Sequence, residues 1–143
     1  MELKTFSAVL RFTLQLEDQT TKFYQEASSS DKCGGASQLF AGLAESSRKR
    51  RHALEKAARE SVDHSLLEPI SGFFEENYAT STTFSETMSY AEALAAANQL
   101  EERMQKFYLE AGEKISFILG VSRLYKRYTQ ERANALASLQ SLS

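Results

Sequence analysis

Apolar side chains recur at alternating steps of three and four residues in four stretches of the chain, which is the spacing of one face of an α-helix. Two of these stripes, in the first and third stretches, carry a glutamate at their centre. They consist of Leu3, Phe6, Leu10, Thr13, Glu17, Thr20, Tyr24 and Ala27, and of Tyr90, Leu94, Ala97, Glu101, Met104, Tyr108, Ala111 and Ile115. The pattern therefore assigns two carboxylates to the core.

Capping and helix-breaking residues predict where the four helices begin and end. Thr5 is a candidate N-cap, Ser89 and Glu92 have capping-box spacing, and Gly112 is predicted as a C-cap. The loop "SSSDKCGG" ends the first helix. We expect helices over about 3–27, 37–60, 89–112 and 116–139, with a crossover over about 61–88.

The crossover is too long for a simple turn, and its segment "EPISGFFEENY" is predicted to form a short helix that closes the bundle. The apolar face of this short helix would consist of Ile70, Phe73, Phe74 and Tyr78. Short connections on either side of the crossover predict two antiparallel helical hairpins. This is the ferritin-like form of the up-down four-helix bundle.

An internal repeat supports two related hairpins in one domain over residues 1–143. At a fixed offset of 84 residues, "LEDQTTKFY" (16–24) aligns with "LEERMQKFY" (100–108) without a gap. The composition agrees with an all-α chain, because it includes one Pro and six Gly among many helix-forming residues.

Charge and cysteine content narrow the function classes. A net charge of −2 predicts no attraction to nucleic acid or to an anionic membrane. No apolar run reaches the length of a membrane span, and the N-terminus lacks the layout of a signal peptide. The single cysteine, Cys33, cannot form an internal disulfide, so we expect a cytoplasmic protein. Cys33 is expected to be an incidental exposed thiol in a loop.

Glu17 and Glu101 need compensation if they lie in the core, since an unpaired buried carboxylate would cost several kcal/mol or stay protonated. A metal ion, a cationic side chain or a shared proton would each supply it. The stripes alone leave these three choices open.

The pattern "E-x5-F-Y" on helices 1 and 3 resembles the rubrerythrin-type branch of the ferritin-like superfamily, and the resemblance covers almost the whole chain. It implies a di-iron site that reacts with peroxide or dioxygen. In that family one Glu from each of these helices joins a Glu-x-x-His from helices 2 and 4. Glu17 and Glu101 match the lone Glu ligands, and Tyr24 and Tyr108 match the tyrosines beside them. The resemblance also implies a homodimer.

Helices 2 and 4 depart from that pattern. In "FAGLAESSRKRRHAL" the ligand Glu becomes Ser47 and the ligand His becomes Arg50. In "YKRYTQERANALASL" the two ligand positions become Arg132 and Ala135. The stripe of helix 4 fits either Arg132 or Glu131 facing inward. Neither helix contains Glu-x-x-His, and His52 and His64 are expected to be exposed.

Two hypotheses follow. In the first, Glu17 and Glu101 pair with Arg50 and Arg132 in a neutral network that needs no metal or other cofactor, because arginine repels metal ions and binds carboxylates. The protein is then a non-catalytic scaffold or binding module, whose protein partner or small ligand the sequence does not identify. The alternative is a divergent di-iron or single-metal oxidoreductase that acts on peroxide or dioxygen and uses Glu17, Glu101 and Glu131 as iron ligands.

Overall fold

Four α-helices make up most of the structure, a computed structural model that describes residues 1–60, 68–79 and 83–142. They are α1 (Phe6–Ser28), α2 (Ser37–Glu60), α3 (Tyr90–Lys114) and α4 (Leu119–Gln140). Across the described ranges there is no β-strand, and the only β-type pairing is one isolated bridge between Glu2 and Phe74. The predicted all-α class is therefore confirmed.

The helices pack as two close pairs, α1 with α2 and α3 with α4. In the first pair Ser37 Oγ donates to the carbonyl oxygen of Ser28 at 2.7 Å, and Ser47 contacts Glu17 further along. Residue numbers therefore rise along α2 as they fall along α1, so the pair is antiparallel. In the second pair Gly112 lies against Tyr125 and Glu101 contacts Arg132, so the contacts again run in opposite directions along the two helices.

Side-chain caps define where α1 and α3 begin. Thr5 caps α1 by accepting a hydrogen bond from the backbone N–H of Ala8 at 3.1 Å. Ser89 and Glu92 form a capping box at the start of α3. These two caps match the predicted ones, but α1 begins at Phe6 rather than near Leu3. Leu3 is not helical because its backbone N–H donates to the carbonyl oxygen of Phe73 at 2.8 Å.

The prediction that Gly112 ends α3 is wrong, since the helix continues to Lys114. Gly112 lies where α4 comes close, and a Cβ atom at this position would stand 3.3 Å from Cβ of Tyr125. Gly112 therefore allows α3 and α4 to pack closely and does not act as a C-cap. The turn between the helices then continues through Ile118, so α4 begins three residues later than predicted.

The connection between α1 and α2 is a 3₁₀-helix over Asp31–Ala36 rather than an open loop. Cys33 lies within it and is fully buried, so the prediction of an exposed thiol is wrong. The sequence around Cys33 is polar and glycine-rich, which suggested exposure. The tight turn instead directs Cys33, together with Ala36, into the bundle.

The described part of the crossover is mostly extended, and the short helix predicted there is reduced to a 3₁₀ turn at Glu75–Asn77. Its backbone bonds with the N-terminal residues instead: Ile70 N–H donates to the carbonyl oxygen of Lys4 at 2.8 Å. Ile70, Phe73 and Tyr78 are buried, as expected for a segment that closes the bundle. Phe74 was assigned to the same apolar face, but it is exposed. Residues 61–67, which include His64, and residues 80–82 lie outside the described ranges.

The basic run "RKRR" (48–51) lies on α2 with Arg50 buried, and most of its charges have acidic neighbours. Arg48 pairs with Glu45, and Arg51 pairs with Asp18 and Glu55. His52 is exposed, as expected. No helix in the described part of the chain is both long enough and apolar enough to span a membrane.

Two helical glycines offer a test of the packing. Gly42 is exposed in the interior of α2, and a Cβ atom there would meet nothing within 4 Å. We expect Gly42→Ala to raise the free energy of unfolding by about 0.5–1 kcal/mol, because alanine has the higher helix propensity. Gly112→Ala should gain less or lose stability, since its methyl group presses on Tyr125. Urea unfolding measures both, and an equal gain at the two positions would contradict the close contact.

Candidate functional site

Glu17 lies at the middle of α1 with no exposed surface, and both of its carboxylate oxygens accept hydrogen bonds. Oε1 is 2.5 Å from Ser47 Oγ and 2.6 Å from Arg132 Nη2. Oε2 is 2.9 Å from Arg50 Nε and also accepts from the hydroxyl of Tyr108. Four donors match the four lone-pair sites of a carboxylate, so this buried anion is fully satisfied.

Glu101 lies at the corresponding place on α3 and is also fully buried. Its Oε2 accepts from Arg132 Nη1 at 2.8 Å and from the hydroxyl of Tyr24 at 2.5 Å. Its Oε1 is 3.1 Å from the same Nη1 atom. The two glutamates therefore share Arg132 and have one tyrosine each.

Arg132 extends from α4 into the centre of the bundle and lies between the two carboxylates. Its side chain is 1% exposed, with Nη2 on Glu17 and Nη1 on Glu101. The guanidinium carbon also lies 6.0 Å from the centroid of the Tyr108 ring. Its Nε atom has no hydrogen-bond partner among the described residues. A planar, permanently charged group with several donors suits this bridging position, which a lysine would not fill in the same way.

The tyrosines connect the two hairpins in a reciprocal manner. Tyr24 of α1 donates to Glu101 of α3, while Tyr108 of α3 donates to Glu17 of α1. Within each of the pairs Glu17/Glu101 and Tyr24/Tyr108 the members are 84 residues apart, the offset of the sequence repeat. The site has an approximate twofold symmetry in these four groups, and Arg50 and Arg132 break it.

The buried network has no net charge, and a chain of ion pairs extends from it to the surface. Two carboxylates face two guanidinium groups, so the four buried charges cancel. Arg50 also donates from Nη1 to Glu131 at 3.2 Å, and Glu131 in turn lies 3.3 Å from Arg127 Nε. The Glu131 side chain is 33% exposed, and that of Arg127 is 72% exposed. A single line of ion pairs thus links the core to solvent.

The pKa values reflect this pairing. Burial by itself raises the pKa of Glu17, but Arg132, Arg50 and the hydrogen bonds from Ser47 and Tyr108 outweigh it and hold the pKa below the ordinary value of 4.5. Burial, followed by the charge of the neighbouring glutamate, raises the pKa values of Tyr24 and Tyr108 well above 10. Glu17 is therefore ionised at neutral pH, and the phenols of Tyr24 and Tyr108 remain hydrogen-bond donors.

A di-iron site does not fit these side chains. Such a site takes about four carboxylates and two neutral histidines, whereas two carboxylates are present here with their oxygens directed at cationic and hydroxyl donors. The candidate third ligand, Glu131, lies with Arg50 and Arg127 instead of joining Glu17 and Glu101. No group of three or more His, Cys, Asp or Glu in the described ranges is arranged to hold a metal ion.

The structure brings together most of the residues that the sequence singled out. Ser47, which was noted only as a lost ligand, donates to Glu17, and its burial at the stripe of α2 was the available signal. For α4 the uncertain register is resolved with Arg132 inside and Glu131 at the edge. Ala135 has no side-chain hydrogen-bonding group to offer the network, and it lines a groove between α2 and α4. The bond of Arg50 to Glu131 was not anticipated.

Removing Arg132 tests how far the network depends on its bridging charge. Arg132→Met should lower the free energy of unfolding by about 3–5 kcal/mol, since two buried carboxylates lose a shared counter-charge. Adding Glu101→Gln should recover part of that loss, because one unpaired charge is removed. Arg123→Met, an exposed change on the same helix, is the control and should cost less than about 0.5 kcal/mol. Equal effects of Arg132→Met and Arg123→Met would contradict the bridging role.

Acidification should weaken the fold through Glu17. Its pKa is lower in the folded chain than in the unfolded chain, so the stability it contributes is complete above pH 4.5 and is lost as the pH falls through the folded-state value. Urea unfolding between pH 7 and pH 3 measures this. The gap between wild type and Arg132→Met should narrow toward low pH, where protonation neutralises the negative charge that the variant leaves without a counter-charge. A gap that stays constant would show that Arg132 acts only through packing.

Comparison with known proteins does not assign this chain to a family. No protein-family model matches it, and neither a curated protein nor a solved structure matches it. The function must therefore be argued from the site itself.

Proposed function

We propose that this protein is a ferritin-like, rubrerythrin-related bundle in which Glu–Arg pairs replace the di-iron site, and that it is a non-catalytic scaffold or binding module. One observation carries the proposal: the guanidinium of Arg132 lies between Glu17 and Glu101, with a hydrogen bond to each. A permanent cation thus occupies the place between the carboxylates where the family resemblance puts metal ions.

The reciprocal contacts of α1 and α3 support the ferritin-like relationship. Tyr24 with Glu101 and Tyr108 with Glu17 are the same pair exchanged between the two helices. Two helical hairpins that share an ancestor and pack face to face would produce such an exchange. The close pairing of α1 with α2 and of α3 with α4, separated by a long connection, supports the same relationship.

The substituted positions account for the loss of metal chemistry in this proposal. Ser47 supplies a neutral hydroxyl and Ala135 supplies no donor, while Arg50 and Arg132 supply positive charge. Each change removes a ligand, and two of them also add repulsion toward a cation. Without a cation that binds oxygen or peroxide, the ordered carboxylates and phenols stabilise one arrangement of the bundle and do not perform redox chemistry.

The proposal also includes a homodimer and a cytoplasmic location. The homodimer rests on the family resemblance, and light scattering of the purified chain measures it. The cytoplasmic location rests on the single cysteine, which excludes an internal disulfide.

Metal content tests the proposed function directly. The chain expressed with added iron or manganese should purify with far less than one metal ion per chain, and chelator should leave its melting temperature unchanged. The combined variant Ser47→Glu, Arg50→His, Arg132→Glu and Ala135→His restores the family's ligand pattern. It should bind about two metal ions per chain.

The matched control adds Glu17→Gln and Glu101→Gln to that variant, which should lose most of the metal. Elemental analysis and cobalt(II) absorbance measure all three proteins. Close to two metal ions per wild-type chain would overturn the proposal. Failure of the folded fourfold variant to bind metal would contradict the alignment of helices 2 and 4 with the family.

A further inference from the structure

A groove of about 500 Å³ lies between α2 and α4, on the outer side of the buried network. Short side chains open it, among them Ser46 and Ala53 of α2 and Ala135 of α4. The charged network forms part of its wall, because Arg50 lines the groove while its Nε is bound to Glu17. The groove is therefore the route from solvent to the only buried arginine that α2 contributes in the described ranges.

Positive charge predominates among the groove's ionised side chains. Lys49, Arg50 and Arg127 line it, and Glu131 is its single carboxylate. Lys49 is exposed and forms no ion pair with any residue that the structure describes. The remaining wall is largely apolar and includes Leu124 and Tyr128. This combination is complementary to a molecule with one anionic group and an apolar body.

Glu131 is a replaceable partner of Arg50. The four buried charges cancel without it, so its removal leaves no unpaired charge in the core. Its contacts to Arg50 and Arg127 are 3.2 and 3.3 Å, longer than the 2.9 Å between Arg50 and Glu17. Its side chain is also partly exposed, and exposed ion pairs contribute about 1 kcal/mol at most. Another carboxylate can therefore compete with it for the guanidinium of Arg50.

We propose that this groove binds a small-molecule carboxylate with an apolar tail. The ligand carboxylate takes the place of Glu131 on Arg50 and is held from the groove edges by Lys49 and Arg127. The inference rests on the proposed function, since it names the ligand class of a binding module, and it requires no metal.

The dimensions of the groove set the length of the tail. Arg50 lies opposite Glu131, and Leu124 lies seven residues from Glu131, or about 10 Å along α4. Along α4 the lining residue Tyr128 lies between them, whereas the lining residues beyond Glu131 include the polar Asn134 and Ser138. The tail therefore extends toward Leu124, and a chain of about eight carbons fills that distance.

Calorimetric titration of the full chain at pH 7 tests the proposal with defined probes. Octanoate should bind about tenfold more tightly than 1-octanol, which lacks the charge, and than acetate, which lacks the tail. Affinity should rise from butanoate to octanoate and level off once the tail exceeds the groove. Equal affinities for octanoate and 1-octanol, or no binding of octanoate at millimolar concentration, would overturn the proposal.

Substitutions locate the site without disturbing the core. Lys49→Gln and Arg127→Gln should each weaken octanoate binding about two- to fivefold, while Lys56→Gln and Lys126→Gln, which remove the same charge outside the groove, should not. Ala53→Trp should abolish binding by filling the path of the tail. Glu131→Gln should strengthen binding about two- to fivefold, because the competing carboxylate is removed. A loss of affinity in folded Glu131→Gln would exclude the displacement.

The outcomes separate this inference from the proposed function. A metal-free chain that fails to bind octanoate rejects the groove ligand and leaves the scaffold proposal standing. A chain that purifies with two metal ions rejects the proposed function, whatever octanoate does. If a second copy occupies the groove, Ala53→Trp will convert a dimer to a monomer on light scattering, which also overturns the ligand assignment.

Discussion

The guanidinium of Arg132 between Glu17 and Glu101 is the contact on which the arrangement of the bundle depends. It joins α4 to α1 and α3 at once, and Arg50 joins α2 to the same carboxylate of α1. Each helix pair packs closely by itself. The two pairs meet through these charges and the two tyrosine hydroxyls, and also through the hydrogen bond between Thr13 and the Tyr125 hydroxyl and the packing of Phe12 against Phe107. Sliding one pair along the other would leave a carboxylate or a guanidinium without its partner in a medium of low polarity. The cost of an unpaired buried charge therefore fixes how the pairs sit on each other.

That specificity carries little gain in net stability. Removing two carboxylates and two guanidinium groups from water costs several kcal/mol per ion, and their attraction approximately returns it. Well-packed leucines in the same place would stabilise the fold as well or better. The charges instead discriminate between the native packing and shifted packings of the helix pairs. Apolar side chains tolerate a shift by one helical turn, whereas paired charges do not. Tyr24 and Tyr108 add to this discrimination, since each hydroxyl donates a hydrogen bond to the glutamate of the other hairpin.

The sequence predicts those features that depend on local periodicity and misses those that depend on distant contacts. The burial of Glu17 and Glu101 follows from the stripes, and the caps at Thr5 and Ser89 follow from short-range hydrogen bonding. Arg132 and Glu131 are neighbours on a helix, so their directions differ by only about 100° and a stripe with gaps fits either. The extended crossover was missed because its backbone pairs with Leu3 and Lys4, far away in the chain. Gly112 was misassigned for a similar reason, since the approach of Tyr125 is invisible along α3 itself.

The same electrostatic arrangement that disfavours iron in the core favours an anion in the groove. From solvent inward the charges alternate along one line of contacts, which runs through Arg127, Glu131, Arg50, Glu17, Arg132 and Glu101. A metal ion between Glu17 and Glu101 would place a second cation beside Arg132 and break the alternation. A ligand carboxylate that replaces Glu131 preserves it, because the incoming group has the sign of the one that leaves. This charge order is the electrostatic basis of both proposals, since it favours a negatively charged ligand at the outer end of the network and disfavours a cation at its centre.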